Sequence, residues 1–392
     1  MHILIIPSYY PSPAQPLTGT FIEKQAQALR KAGHKVGVLV TPRINVTWEH
    51  IKREGLASIR TVTVDANEPN YSVYRMHWGW FPRVLPVAVT FLLRRAGFAA
   101  FERYCRAHGK PDVLYPHNTF YGGYLAAQIQ VHYGVPAILL EHSSSFLEGL
   151  VIFPGQGQIV RDVLRSMDAR FSVGKALIPA LHKYAPEVEI DVLGNVIDTD
   201  LFVPSSTTPS PLPFIFTVIA QLKERRKGFE ILIDGFYQAF AGDDTVKLYI
   251  RGSGPLQPEI EAHIARLNLG SQVEFLPYMT LEQLRDLIQR SHVIVSSSHV
   301  ETFAVSVAEA MACGKPVVST ISGGPEDYVN DASGFLVPPG NRQALASAMQ
   351  QIRTEYARFD PQTIRQICVD RFSEEALVRR LEQAYARIRK RS

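Results

Sequence analysis

Short apolar runs alternate with amphipathic segments through almost the whole chain, and no other feature restricts the fold as strongly. HILIIP precedes the helical pattern TFIEKQAQALRKAG, and KVGVLV follows it. Further along, DVLYPH, AILLEH and ARFSV are separated by helical stretches such as GYLAAQIQVHYG. Apolar strands between amphipathic helices are typical of parallel sheets with helices on both faces. The sequence therefore predicts an α/β protein of the doubly wound type.

A break in this alternation divides the chain. Residues 203–213 read VPSSTTPSPLP, a composition typical of a linker, and the alternation restarts at FIFTVIA. A chain of 392 residues is long enough for two full cores. We predict two Rossmann-like domains, residues 1–202 and 214–372, that face a central cleft. Residues 373–392 are predicted to form a capped helix with a basic tail that packs back toward the N-terminal domain.

The composition argues against several classes of protein. Lys and Arg number 41 against 37 acidic residues, and the resulting net charge of +4 is too small to indicate nucleic-acid binding. The 3 cysteines are scattered, so neither a disulfide framework nor a zinc ribbon is expected. The longest apolar stretch, residues 84–93, is far short of the roughly 20 residues of a membrane span. Because the N-terminus lacks a signal-peptide pattern, we expect a cytoplasmic protein, at most peripheral to the cytoplasmic face of a membrane.

Residues 301–320, ETFAVSVAEAMACGKPVVST, carry two glutamates in small, apolar surroundings. VIVSSS before them predicts a strand, the apolar spacing from Phe303 onward predicts a helix, and PVVST predicts a second strand. Glu301 then precedes the helix, and Glu309 lies two turns in, about 12 Å further on. Free N–H groups at the helix start suit phosphate oxygens or sugar hydroxyls. In the alternative interpretation, Glu301 is a helix-start carboxylate and Glu309 faces solvent.

Other candidate residues also lie beside predicted strands. His142 ends AILLEH, Gly252 and Gly254 end LYIRGSG, and Gly19 lies between the first strand and the first long helix. Ligands of open α/β sheets bind at the carboxyl ends of the strands, so these residues are expected to face the cleft with Glu301. In the plainer interpretation, His142 is a strand-end histidine bonded to backbone, and the glycines serve turns.

Several motifs occur together in one order along the chain. Glu301 and Glu309 form a Glu-x7-Glu pair within SSSHVETFAVSVAEAMACGKPVVSTISGGPEDYV. The other motifs are GFLVPPGN, RRKGFEILIDGF, RGSGP, GNVIDTDLF, GTFIEKQAQALRKAGHKV and LLEHSSS. With these motifs the chain resembles the retaining glycosyltransferases of family 4 over nearly its whole length. The resemblance implies the GT-B fold and transfer of a sugar from a UDP- or GDP-linked donor to a glycan or lipid-linked glycan, without a cofactor.

The resemblance also implies roles for individual residues. Glu309 corresponds to the carboxylate that binds the ribose hydroxyls, Glu301 to the contact with the donor sugar, and Lys227 to the diphosphate lysine. His142 resembles the histidine near the reacting carbon, and Gly19 the glycine that lets backbone approach the diphosphate. The candidate catalytic residues are His142, Lys227 and Glu301, and the candidate donor-binding residues are Gly19, Arg226, Lys227, Gly252, Gly254, Glu301, Thr302, Phe303 and Glu309.

One position departs from the family pattern. Where the family usually has an arginine six residues before the lysine, this chain has Gln221. Either the neighbouring Arg225 or Arg226 takes its place, or a single cation serves the diphosphate.

The Asp-x-Asp pattern Asp198-Thr199-Asp200 is a possible metal site. Because it follows the predicted end of a strand at the domain junction, we interpret it as a loop and predict no metal.

A membrane contact is a separate hypothesis. On a helix over residues 86–107, Arg95, Glu102 and Arg106 share one face, opposite Val89, Leu93, Ala100 and Tyr104. The plain interpretation is a packed helix. In the sharper one, Trp78, Trp80 and these arginines, with the basic tail 387–391, touch an anionic membrane that carries the acceptor.

Two further functions are alternatives to sugar transfer. A non-catalytic nucleotide-sugar binder that supports a partner enzyme is motivated by Gln221. A nicotinamide-dependent dehydrogenase is disfavoured, because the turn after HILIIP lacks Gly-x-Gly-x-x-Gly.

Overall fold

The computed structural model describes residues 1–12, 15–16, 18–41, 62–65, 71–76, 86–150, 155–207 and 209–391. The chain divides into two compact units. Unit 1 comprises Met1–Val173, Leu177–Val196 and Glu374–Ser392, and unit 2 comprises Gly174–Ala176 and Ile197–Ser373.

Within the described residues, unit 1 is built on an eight-stranded sheet with the order β3-β4-β2-β1-β5-β6-β7-β8. The strands are β1 His2–Pro7, β2 Lys35–Val40, β3 Val62–Asp65, β4 Ser72–Met76, β5 Val113–His117, β6 Ile138–Glu141, β7 Ala169–Ser172 and β8 Asp191–Val192. The helices are α1 Thr20–Lys31, α2 Pro86–His108, α3 Tyr124–Tyr133, α4 Gln156–Ser166 and α5 Leu177–His182. All neighbouring strands are parallel except β3 and β4. Every residue of β1 and β5 is buried, as expected for central strands covered on both faces.

Unit 2 contains a six-stranded parallel sheet in its described residues, with the order β11-β10-β9-β12-β13-β14. Its strands are β9 Phe214–Ile219, β10 Val246–Arg251, β11 Val273–Leu276, β12 Val293–Ser296, β13 Val317–Thr320 and β14 Gly334–Val337. Its helices are α6 Phe229–Phe240, α7 Gln257–Arg266, α8 Leu281–Arg290, α9 Val305–Ala312, α10 Arg342–Thr354 and α11 Pro361–Phe372. Local sequence explains several boundaries; at α8, for example, Thr280 and Gln283 form a reciprocal capping box.

The last helix, α12 Glu374–Arg391, belongs to unit 1. It packs against α1, and Lys31 pairs with Glu374 at 2.9 Å while His34 lies 3.0 Å from Glu382. Leu377, Leu381 and Ile388 are buried on its apolar face. The start and the end of the described chain therefore fold into one unit.

The division into units differs from the predicted boundaries at residues 202 and 372. Residues 197–202 lie in unit 2, where α11 holds them. Ile197 N donates to Phe372 O at 2.8 Å, and the Arg365 guanidinium donates to Thr199 O and Phe202 O at 2.7 Å. The sequence pattern shows a linker only where polar composition begins, and these backbone contacts leave no such signal.

Both sheets change winding direction near their centre. In unit 1 the chain runs outward from β1 through β2 and then returns to the other side at β5; in unit 2 the same reversal separates β9 from β12. Such switch points leave a crevice at the carboxyl ends of the two strands, where ligands of open sheets bind.

Candidate functional site

The switch point of unit 2 brings Lys227 and Glu301 together. Lys227 follows β9 and Glu301 follows β12, and these strands are neighbours in the sheet. Lys227 Nζ donates to Glu301 Oε1 at 2.7 Å, and Ser298 Oγ donates to the same oxygen at 2.7 Å. The side chains are 20% and 13% exposed, so this ion pair is partly shielded from water yet reachable. The two candidate residues, 74 positions apart in the sequence, thus form one contact.

The loop that carries Lys227 is fixed by its neighbour Gly228. Gly228 has φ +68°, and a Cβ there would lie 2.1 Å from Ser297 O, so a side chain would clash with the loop after β12. Ser297 Oγ donates to Lys227 O at 3.0 Å, and His299 N donates to Arg226 O at 2.7 Å. This close backbone contact holds the lysine against the glutamate.

The helix after Glu301 begins later than the apolar spacing predicts. Phe303 lies before α9, because Ala304 adopts a left-handed conformation with φ +64° and the helix starts at Val305. Tyr328 Oη donates to Phe303 O at 2.6 Å and to Ala304 O at 2.9 Å, which holds this unusual turn. Thr302 is half-buried and Phe303 buried in the same turn.

Glu309 is the fifth residue of α9 and is 6% exposed. The alternative in which it faces solvent is therefore wrong. The pKa of Cys313, the residue just after α9, is raised to about 12. Burial of the thiol is the main cause, and the negative charge of Glu309 is the second.

Gly252 and Gly254 allow the ends of β9 and β10 to approach each other. A Cβ on Gly252 would lie 1.9 Å from Ala220 O, and one on Gly254 would lie 2.3 Å from Leu222 O. These contacts explain why both positions are glycine, and both lie at the same edge of the sheet as Lys227.

The two arginines before Lys227 have different surroundings. Arg226 donates to Val300 O at 3.0 Å and pairs with Glu224 at 2.5 Å, whereas the more exposed Arg225 pairs with Glu259 at 2.7 Å. Both line a cavity of about 680 Å³ between α6 and α7. Arg226 thus supports the loop that carries Glu301.

In the Asp-x-Asp loop, the first aspartate, Asp198, has a structural role. Asp198 Oδ1 accepts a hydrogen bond from Leu201 N at 2.9 Å. Over the described ranges, no cluster of three His, Cys, Asp or Glu side chains is placed to hold a metal ion.

In unit 1, Gly19 and His142 lie at the corresponding edge. Gly19 caps the start of α1 with φ +79°, and a Cβ would lie 3.0 Å from Tyr9 O. His142 follows β6, and its Nε2 lies 2.9 Å from Nδ1 of His117, the last residue of β5. The two rings stack at 5.0 Å with an interplanar angle of 12°. Desolvation lowers the pKa of His142 to about 3 and holds the pKa of His117 well below 6.5, so both are neutral at pH 7.

Glu141 anchors the backbone around this pair. It is fully buried, and its carboxylate accepts from Thr119 N, Thr119 Oγ1, His142 N and Ser143 N at 2.5–2.8 Å. Burial raises its pKa, and these four hydrogen bonds oppose that rise.

Sequence reasoning missed several residues at the two edges. His117 ends the strand run DVLYPH just as His142 ends AILLEH, so the rule that selected one also fits the other. In unit 2, Tyr278 follows β11 with a ring that is 65% exposed, and the Arg251 guanidinium lies 5.4 Å from its centroid. In the sequence, the available signal was only an aromatic residue just after the strand run VEFL.

Helix α2 agrees with the predicted faces where its side chains are described. Arg95, Glu102 and Arg106 are exposed, and Leu93 and Tyr104 are buried. Trp78 and Trp80 lie outside the described residues. Across the described part of the chain, no helix combines the length and apolarity of a membrane span.

Two α/β units, each with a mainly parallel sheet and a switch point near its centre, have the architecture of the GT-B fold. Sucrose-phosphate synthase from Thermosynechococcus elongatus shares the fold over 100% of both chains, with a TM-score of 0.78 and 20% identity. Anabaena HepE in complex with UDP and glucose matches 99% of this chain and 100% of its own, with a TM-score of 0.71 and 18% identity. The predicted fold class is confirmed.

Residues 205–359 match the family Glycosyl transferases group 1. This match lies in the part of the chain that carries most of the motifs of the resemblance, and it agrees with that resemblance.

Curated relatives match the chain in part. A phosphatidylinositol N-acetylglucosaminyltransferase subunit of Arabidopsis thaliana is 25% identical over 199 residues, 51% of this chain and 44% of the relative. The putative colanic acid biosynthesis glycosyltransferase WcaL of Salmonella typhimurium is 28% identical over 210 residues, 50% of each. The chain thus spans about half the length of these relatives.

Proposed function

We propose that the chain transfers a sugar from a nucleotide-sugar donor to a hydroxyl of a glycan or lipid-linked glycan, with retention of anomeric configuration. The observation that carries the proposal is the Lys227–Glu301 ion pair at the switch point of unit 2, and the buried Glu309 lies in the helix that follows Glu301. Similarity to a WcaL-type glycosyltransferase and to HepE with UDP and glucose supports the donor class and a role in cell-surface polysaccharide or glycolipid synthesis.

Each group has a chemical task in this proposal. Breaking the donor bond leaves a diphosphate with extra negative charge, and a cation that is already in place stabilises that charge. Lys227 supplies the cation, so the reaction needs no metal. Glu301 and the N–H groups after Thr302 bind the donor sugar, and Glu309 binds the ribose hydroxyls. Gly19, Gly252 and Gly254 let backbone approach the donor.

The test uses the purified chain with UDP-glucose, UDP-galactose, UDP-N-acetylglucosamine and GDP-mannose. We expect release of UDP or GDP with one class of donor, undiminished by EDTA, and an α-linked product from an α-linked donor. Loss of turnover in EDTA would contradict metal independence, and an inverted product would contradict retention.

A second candidate is a non-catalytic nucleotide-sugar binder, and Gln221 favours it because a neutral amide stands where the family usually has a cation. Donor binding without release of nucleoside diphosphate, with and without a glycan or lipid-linked acceptor, would support this function and contradict the first.

We also propose a peripheral contact with an anionic membrane through the exposed arginines of α2. Replacing Arg95 and Arg106 by Gln should reduce sedimentation with phosphatidylglycerol vesicles in low salt. The matched pair Arg266→Gln and Arg290→Gln, also exposed but in unit 2, should not. Equal sedimentation of all variants ends this proposal.

A further inference from the structure

The turn between Glu301 and α9 carries backbone N–H groups without acceptors. Glu301 N donates to Ser322 O at 2.9 Å, but the N–H groups of Ala304 and Val305 donate to no group of the residues described. Ala304 is buried and Val305 half-buried. Because an unpaired N–H of low exposure is costly, these two groups are suited to a ligand with acceptor oxygens.

The hydroxyl of Tyr328 sets the direction of these two N–H groups. It donates to Phe303 O at 2.6 Å and to Ala304 O at 2.9 Å, so one proton is shared by two carbonyl groups. Phe303 O belongs to the same peptide as Ala304 N, and Ala304 O belongs to the same peptide as Val305 N. In a trans peptide the N–H points away from the C=O, so both N–H groups point away from Tyr328.

These hydrogen bonds also hold a strained residue. Ala304 has φ +64° and ψ +72°, a left-handed conformation that is unfavourable for alanine. A residue persists in such a conformation where its surroundings hold it there. Here the two peptides that flank Ala304 Cα are bonded to one oxygen, which fixes their orientation relative to each other.

Tyr328 is itself fixed in place. The residue is 3% exposed, and its ring lies 5.5 Å from the ring of Phe303 and 5.2 Å from that of Phe372. Gly324 permits this approach, since a Cβ there would lie 2.6 Å from Phe303 Cα. Burial raises the pKa of Tyr328 well above 10, so the hydroxyl stays protonated and remains a donor.

We propose that Tyr328 is a positioning residue: its hydroxyl aligns and polarises the N–H groups of Ala304 and Val305, which bind oxygen atoms of the donor sugar. The sugar as ligand rests on the proposed function. A hydrogen bond at a carbonyl strengthens the N–H of the same peptide as a donor, so the hydroxyl acts on the strength of these contacts as well as on their direction. In the plain alternative, the ring of Tyr328 supports the turn by packing, and its hydroxyl has no effect on the ligand.

The first measurement is NMR of the full chain labelled with ¹³C at the phenylalanine carbonyl and ¹⁵N at alanine. Signals then arise from three Phe–Ala pairs, which are Phe98–Ala99, Phe240–Ala241 and Phe303–Ala304. We expect Tyr328→Phe to shift the Phe303–Ala304 signal, which Ala304→Gly identifies by its loss, and to leave the other two in place. An unmoved signal would show that the hydroxyl does not hold this carbonyl, and it overturns the inference whatever the activity of the chain.

The second measurement compares the binding of UDP-glucose, UDP-galactose, UDP-N-acetylglucosamine and GDP-mannose with that of UDP and GDP. We expect Tyr328→Phe to lose about tenfold in affinity for the nucleotide sugar that the wild type binds, and nothing for its nucleoside diphosphate. Tyr104→Phe is the matched control, because this tyrosine is also buried and its hydroxyl lies 2.6 Å from His2 Nε2 in unit 1. The control should change neither affinity, and thermal unfolding checks that each variant is folded.

A second background keeps the test valid if Tyr328→Phe alone does not fold. Ala304→Gly removes the strain of the turn, so this background tolerates the loss of the hydroxyl better. Glycine does not hold one conformation by itself, and the hydroxyl still has to align the N–H groups. We therefore expect the double variant to show the same tenfold loss for the nucleotide sugar relative to Ala304→Gly.

The outcomes separate this inference from the proposed function. Equal losses for the nucleotide sugar and the nucleoside diphosphate, or no loss for either, overturn the inference where the wild type binds both. Failure of the nucleotide sugars to bind the wild type contradicts the proposed function, and with it the sugar as ligand. The Phe303–Ala304 signal then still decides whether the hydroxyl holds the turn.

Discussion

At the scale of single residues, Lys227 has the largest electrostatic role in the proposed reaction. An ammonium about 4 Å from a phosphate oxygen contributes roughly 4 kcal/mol at an effective dielectric of 20, part of it already in the ground state. We expect Lys227→Ala to lower kcat by about a hundredfold to a thousandfold, while Lys223→Ala, on the exposed part of the same loop, leaves it unchanged. Donor turnover measures both, and a loss below tenfold would contradict the role.

Variants of Arg226 and Gln221 test whether a second cation binds the diphosphate of the proposed donor. If Arg226 supplies one, Arg226→Ala should approach the kcat defect of Lys227→Ala, and Gln221→Arg should partly rescue it. Its bonds to Val300 O and Glu224 offer a different role, support of the loop. Wild-type turnover of Arg226→Ala with every donor would leave Lys227 as the main charge.

The two glutamates should differ in kinetics. Ribose contacts are similar in ground and transition states, so Glu309→Ala should raise KM more than it lowers kcat. Glu301→Gln should mainly lower kcat if the proposed contact of Glu301 with the donor sugar tightens as charge develops. Steady-state kinetics with one donor decide this, and an identical change in both variants would show that the division of roles is wrong.

His142 should make folding sensitive to acid. Its folded-state pKa of about 3 lies below the ordinary 6.5, so the unfolded chain binds a proton that the folded chain excludes. The contribution of the neutral His142 ring to the free energy of unfolding is complete above pH 6.5. It falls by about 1.36 kcal/mol per pH unit as the pH decreases toward 3. Urea unfolding between pH 6.5 and 5 should show a shallower loss in His142→Asn than in the wild type. Parallel slopes would contradict a buried neutral ring.

At the scale of elements, the start of α9 stores backbone strain. Ala304 is 8% exposed and has φ +64°, a conformation that glycine adopts without cost. We expect Ala304→Gly to raise the free energy of unfolding by about 1 kcal/mol, whereas Ala308→Gly, inside the helix, lowers it by a similar amount. Chemical denaturation of both variants measures this. Destabilisation by Ala304→Gly would mean that the turn is unstrained.

Sequence periodicity predicted the elements better than their ends. The strand–helix–strand order around Glu301 follows from apolar spacing, yet Phe303 fits the helical period and lies outside the helix. The spacing of apolar residues cannot predict the hydrogen bonds of the Tyr328 hydroxyl to Phe303 O and Ala304 O, because Tyr328 lies 25 and 24 residues away in the sequence. In the same way, Lys227 was found by its motif, whereas its contact with Glu301 depends on the adjacency of β9 and β12. The contact between His117 and His142 was not predicted, because β5 and β6 become neighbours only in the folded sheet.

At the scale of the whole molecule, deletion of α12 is a test of the division into two units. Removing residues 374–391 would remove the helix that packs against α1, together with its buried Leu377, Leu381 and Ile388. We expect unit 1 to unfold at lower denaturant than in the full chain and unit 2 to keep its midpoint. Tryptophan and tyrosine fluorescence with limited proteolysis can follow the two transitions. An unchanged early transition would show that α12 contributes little to unit 1.

The membership of α12 in unit 1 also bears on the order of events during synthesis. Domains usually fold in the order in which they leave the ribosome. Here, residues 197–373 of unit 2 are all synthesised before the first residue of α12. Unit 2 can therefore reach its native state while the unit made first still lacks its last helix. In the nascent chain, nothing packs against α1 in the place of α12 until translation has passed residue 374.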